Sequence, residues 1–242
     1  ASIFGLADAV KECNEAKIEL DRIVKTVDSF YFILGNRTSV FSDALSLVRI
    51  QDVVAQNTPE EAEKVLISYL QEKGVIFSML NRLNRFADMR SRLPLLRKAA
   101  DDFTSGRYYS SILVTVSMMD GFVCDAFKEN RKGLHARKPE EMYVEDCVAA
   151  VWNGLPSVQA SYTKGVKSRI EENVFDVHRH GIMHGMEVNY DNVYVAAKAW
   201  CKTTLGKTSS ISCTMVAAIL LSLPTIVILS GFILLNKASI AF

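Results

Sequence analysis

The chain has 242 residues, of which 49% are hydrophobic and 23% charged, with a net charge of +1. That length allows one or two domains with a sizeable core. A charge so near zero argues against a generally basic nucleic-acid binder, so any nucleic-acid site must be local. The five cysteines, Cys13, Cys124, Cys147, Cys201 and Cys213, include no C-x-x-C pair. This speaks against a disulfide framework or a zinc ribbon and fits reduced thiols in a cytoplasmic compartment. No basic stretch followed by an apolar one opens the sequence, as a secretory signal would.

In chain order, Leu6, Val10, Cys13, Ala16, Leu20, Val24, Val27, Tyr31 and Leu34 recur at steps of three and four. This predicts one long helix with an apolar stripe, closed by Gly35-Asn36. A second helix is expected from about Ser39 to Ala55. Thr58-Pro59-Glu60-Glu61 starts a third, with Thr58 as cap and Pro59 in the first helical position. Lys73-Gly74 breaks it, and a fourth helix runs to about Met89. The stretch 81–98 carries Arg82, Arg85, Arg90, Arg92, Arg97 and Lys98 against one acid, Asp88. It reads either as a solvated helix face or as a phosphate-facing patch. Pro94 marks a new helix start.

Beyond it lie two helices joined at Ser105-Gly106. The first presents Leu95, Leu96, Ala99 and Phe103; the second presents Tyr109, Ile112, Leu113, Val116, Met119, Val123 and Phe127. Asp120 interrupts the second on a nearly apolar face, where a carboxylate is unfavourable unless paired or exposed. A further helix is expected from Pro139 to Trp152, another at the histidine-rich stretch HRHGIMHG (178–185), and one more in DNVYVAAKAWCKTTL. No alternating run is long enough for a sheet, so the fold class is all-α, a helical bundle.

Between Lys207 and Lys237 no residue is charged. Roughly 20 apolar residues span a bilayer core, so 210–236 reads as a C-terminal transmembrane helix, kinked at Pro224. Lys198, Lys202 and Lys207 upstream favour a cytoplasmic main domain by the positive-inside bias. The expected organisation is a helical region at 1–90, a helical domain at 92–206 and a single-pass anchor at 210–236.

Three of the four histidines lie in 178–185. On a helix, His180 and His184 are one turn apart on one face, with Arg179 at its edge. Histidine suits proton transfer near neutral pH. Arginine suits a phosphate, through its permanent charge and planar fork of donors. Asp176, His180 and His184 also share the i, i+4, i+8 spacing of a metal site. Its outer members would stand about 12 Å apart, so no metal and no cofactor is assigned. No Gly-rich phosphate loop, G-x-S-x-G or H-E-x-x-H occurs, which removes NTPase, serine-hydrolase and zincin chemistry.

The R-(polar)-x3-H pattern of Arg179, His180 and His184, following a helix pair with a short Gly turn, resembles the HEPN superfamily over roughly residues 92–206. The resemblance implies a compact four- or five-helix domain. It implies metal-independent RNA cleavage by 2′-hydroxyl attack on the adjacent phosphate. His184 would be the catalytic histidine, Arg179 the phosphate ligand and His180 a polar helper. Asp120, by its place in the pattern, either orients one of them across the core or has a structural role. It also implies a homodimer with a shared cleft, a toxin or host-defence (abortive-infection-like) role, and an antitoxin or defence-system partner. Gly181 and Gly185 either admit an RNA backbone or partner helix, or mark a helix end. The competing reading is a catalytically inert helical binding or assembly module tethered to the membrane.

Overall fold

The computed structural model describes residues 3–42, 44–126, 136 and 161–203. Within them the protein is mostly helical and has no strand. Helix α1 (Ile3–Leu34) is long, and its last third is buried: Val27, Phe30 and Leu34 enter the core, while Val10, Ile18 and Leu20 stay exposed. Residues 39–46 do not continue the expected second helix. Ser46 is its cap, accepting from Arg49 N–H, and α2 is Leu47–Val54. Helix α3 (Pro59–Gln71) starts as its sequence dictates: Thr58 Oγ1 accepts from Glu61 N–H, and Pro59 opens the first turn. Gly74, at φ +95°, allows the reversal into α4 (Val75–Leu83). This helix stops short of Met89, and a 3-10 turn (Ala87–Arg92) runs directly into α5 (Leu93–Thr104).

Ser105-Gly106 turns the chain into α6 (Tyr108–Ala126). Asp191 closes the start of α6 by accepting from Tyr109 N–H at 3.0 Å. Helix α7 is Arg179–Met183. Helix α8, at 193–203, is capped by Asn192, whose Oδ1 accepts from Val195 N–H at 3.1 Å. Trp200 of α8 is fully buried, and its Nε1 donates to Ser111 Oγ on α6; Ser111 Oγ donates in turn to the Ala99 carbonyl on α5. One shared contact therefore locks three helices.

A single hydrophobic cluster draws residues from both 27–89 and 96–201. Cutting the chain near residue 91 would divide this core. The expected helix at 139–152 and the expected membrane span at 210–236 lie outside the described residues. Among the described residues, no helix is long and apolar enough to cross a membrane.

A second layer of order comes from charge. Glu63 lies on the buried stripe of α3 beside Leu66, Ile67 and Leu70. Its carboxylate accepts two bonds from Arg37, at 2.7 and 2.9 Å, and meets Lys198 Nζ at 2.6 Å. Lys198 also donates to Asp176 at 2.8 Å and to the Phe175 carbonyl at 2.9 Å. Burial alone would push the Asp176 carboxyl up, but Lys198, Thr38 and His178 together hold it below the usual carboxylate range. Lys202 is completely buried and its Nζ has no partner among the described residues; burial, with Lys198 close by, brings its pKa down to about 7. Lys198 and Lys202 are thus core residues of α8. At Val195, Lys198, Ala199 and Lys202 they occupy the i, i+3, i+4, i+7 face that packs inward.

Candidate functional site

Helix α7 is one short turn, shorter than the helix expected over 178–185. His178 precedes it in extended conformation (φ −106°, ψ 96°), and His184 closes it. The stop is local. Gly185 takes φ +67°, its N–H bonds Ile182 O, and Met186 N–H bonds Gly181 O at 2.8 Å. This pair of bonds is the Schellman closure, which requires a left-handed residue after the cap. Gly185 therefore marks the helix end. Gly181 has a different role: a Cβ there would stand 2.6 Å from Glu187 Cδ. Its missing side chain makes room for a buried carboxylate.

That carboxylate faces His178. Glu187 Oε1 lies 2.7 Å from His178 Nδ1, and Lys164 Nζ lies 3.1 Å from His178 Nε2. An ammonium has only donors, so Nε2 accepts and Nδ1–H donates to Glu187. Loop 164–178 and segment 184–192 clasp α7 between them. Ile170 N–H bonds Met186 O at 2.8 Å, and Val174 N–H bonds Asn189 O at 3.0 Å.

Arg179 reaches across to α6, where its Nη2 donates to Asp120 Oδ2 at 2.7 Å. The two side chains are 17% and 18% exposed. Asp120 thus meets the condition its apolar setting imposed. Arg179 Nε is buried without a hydrogen-bond partner among the described residues. Tyr162 is buried close by; burial pushes its phenol above the usual tyrosine value, with Asp120 adding to the shift and Arg179 opposing it. It stays a neutral hydroxyl beside the ion pair. His180 and His184, one turn apart, place their ring centroids 4.7 Å from each other. His180 Nδ1 accepts a long 3.5 Å bond from Val166 N–H, which leaves the proton on Nε2. His184 is exposed.

The structure therefore joins Asp120 to Arg179 and His180 to His184. Asp176 is not among them. It precedes α7 and is engaged with Thr38 and Lys198, so the i, i+4, i+8 arrangement does not exist. Among the described residues no three His, Cys, Asp or Glu side chains are grouped to hold a metal ion. No protein-family model, no curated protein and no solved structure matches the chain.

Sequence reasoning did not single out Glu187, Lys164 or Tyr162. Glu187 offered a faint signal, as an acid close to a histidine cluster, but its pairing depends on the turn at Gly185. Tyr162 offered none, because only the packing of 161–163 brings it to Asp120.

Proposed function

We propose that this protein is a membrane-anchored HEPN-type endoribonuclease, a homodimer that cuts RNA without a metal ion and serves as a toxin or host-defence effector. The observation that carries the reading is the half-buried Arg179, held by Asp120, on the same short helix as two imidazoles in mutual contact. The Arg179 side chain is still 17% exposed, and a guanidinium presents paired donors to a phosphate oxygen.

In the proposed reaction the RNA 2′-hydroxyl loses its proton to an imidazole and attacks the adjacent phosphorus. The bond from phosphorus to the 5′ oxygen breaks, and an imidazolium returns a proton to that oxygen. The products are a 2′,3′-cyclic phosphate and a 5′-hydroxyl. Two copies of His184 facing one cleft across a two-fold axis would supply base and acid. Arg179 neutralises charge on the phosphorane, and His180 donates its Nε2–H to a phosphate oxygen. Asp120 is a positioning residue, acting through Arg179. The run at 210–236 would hold the chain in a bilayer with the main domain cytoplasmic, raising the local concentration of dimerising domains.

The test uses the full chain in detergent with single-stranded RNA and EDTA. Arg179→Ala and His184→Ala should each lose on the order of 10²-fold or more in rate. Equal activity in all three proteins, or complete dependence on added zinc, would end the ribonuclease reading. An inert binding or assembly module takes the Asp120–Arg179 pair as a strut. In that case Arg179→Ala lowers stability and no RNA is cut. The anchor is tested separately: the full chain should sediment with membranes and resist alkaline carbonate, and a chain that stays in the supernatant has no span.

A further inference from the structure

The basic stretch 81–98 contributes nothing to the proton transfers, yet it passes beside Asp120. Arg92 closes the 3-10 turn Ala87–Arg92, and its Nη2 donates to Asp125 Oδ2 on α6 at 2.5 Å. The same Nη2 lies 3.5 Å from where a Cβ on Gly121 would stand. Gly121 is the immediate neighbour of Asp120, the residue that holds Arg179. Successive residues of a helix are 1.5 Å apart along the axis and about 100° apart around it. Two guanidiniums from well-separated parts of the chain therefore lie against adjoining residues of α6.

They are seated alike. Arg92 is 15% exposed and Arg179 17%, and each meets a carboxylate of α6. Fixed, partly buried guanidiniums lose less side-chain freedom on binding an anion than free surface lysines do. The Asp125 partner is 44% exposed, so solvent screens its hold on Arg92. On either side of Arg92 in sequence, Arg85, Arg90, Arg97 and Lys98 are exposed. The run ends at Asp101 and Asp102, one turn further along α5.

The geometry points to Arg92 as a second phosphate ligand, the link between the cleavage site and a single-stranded RNA track over Arg85, Arg90, Arg97 and Lys98. The inference rests on the ribonuclease reading and names how that site holds its substrate. Arg179 meets the phosphate that is cut, and Arg92 meets a neighbouring one.

A short 2′-O-methyl oligoribonucleotide is a suitable probe, because it lacks the attacking hydroxyl. Its affinity for the full chain in detergent is measured over a range of salt. For single strands each phosphate contact contributes about 0.7 to the slope of log affinity against log salt. Arg92→Gln should lower that slope by about 0.7 and weaken binding roughly three- to tenfold at moderate salt. Arg92→Lys should keep the slope. On cleavable RNA, Arg92→Gln should raise KM and leave kcat within about twofold, whereas Arg179→Gln lowers kcat. Asp125→Asn is the control for folding, since it breaks the same ion pair but leaves the cation; it should bind as tightly as the wild type or more tightly. A wild-type slope in Arg92→Gln, or a loss in Asp125→Asn equal to that in Arg92→Gln, overturns the inference and leaves the ribonuclease reading standing. Binding with the expected slope change but no cleavage of ordinary RNA overturns the reading and leaves Arg92 as an RNA ligand. A wild-type chain that does not bind the probe overturns both.

Discussion

Two charge clusters tie distant parts of this chain together, and they are built differently. Around Glu63, Lys198 meets three acceptors within 2.9 Å, Arg37 makes two bonds to the same carboxylate, and the Glu63 and Lys198 side chains are 3% and 2% exposed. Around Arg179 a single carboxylate answers the guanidinium, one N–H is unanswered, and an exposed imidazole lies at the other end of the same turn. The first cluster is the more fully paired and the more deeply buried of the two, and it acts as a brace. The second is held by fewer bonds and lies nearer the surface.

The largest effect should come from breaking the brace. Glu63→Ala takes from the buried Lys198 one of its two carboxylates and from Arg37 its two-bond partner, and should lower stability by about 3–5 kcal/mol in urea unfolding. Asp120→Asn, at the half-open cluster, should cost only about 1–2 kcal/mol while cutting the RNA cleavage rate at least tenfold. If the two substitutions cost the same stability and no activity is lost, both clusters are braces.

Next is the floor of the site. Gly181→Ala forces a Cβ against the Glu187 carboxylate, at 2.6 Å in the unrelaxed structure. The strain should lower stability by about 2–3 kcal/mol and move the His178 resonances in an NMR spectrum. An unchanged His178 would mean that Glu187 does not hold it.

Acidity sharpens the comparison from the core side. Lys202 has its pKa lowered from 10.5 to about 7, chiefly by burial. Above pH 7 the unfolded chain therefore carries a proton that the folded chain has shed, so stability rises with pH. Cys201 works in the opposite sense: burial pushes its thiol from 9.0 up to about 12, so above pH 9 unfolding releases a proton and stability falls. The melting temperature should climb between pH 7 and 9 by an amount equivalent to on the order of 2 kcal/mol, then level off as the opposing Cys201 slope cancels that of Lys202. Lys202→Met should flatten the climb. A flat wild-type profile would show that Lys202 keeps its charge when folded.

The smallest effect belongs to the helix stop. Gly185→Ala meets no neighbouring atom, so only the left-handed backbone at φ +67° is penalised. About 1 kcal/mol is expected in thermal unfolding, with RNA affinity unchanged. A change in dimerisation as large as the change in stability would instead give this glycine a role between protomers.

Local chemistry was legible in the residues. Thr58-Pro59, Gly35, Ser105-Gly106 and Pro94 stop or start helices where they stand, because a cap or a turn is decided within a few residues. The shorter reach of α2 and α4 was less so. Val40 is buried, so an apolar pattern persists through residues that follow no helix. At 179–183 the glycines left two readings open, and the left-handed backbone at Gly185 makes that residue the helix end.

By itself the sequence determined that the chain is helical, that an arginine and two histidines share one short stretch, and that Asp120 needs a partner. These follow from propensity, spacing and the energetics of a carboxylate on an apolar face. The tertiary structure decided which partner, since Arg179 is 59 residues away. It also decided that Lys198 and Lys202 face inward and that Glu187 fills the space left by Gly181. The reason is physical. Capping and periodicity act over one or two turns, whereas a charge finds its counter-charge only after the core has folded and excluded the water between them.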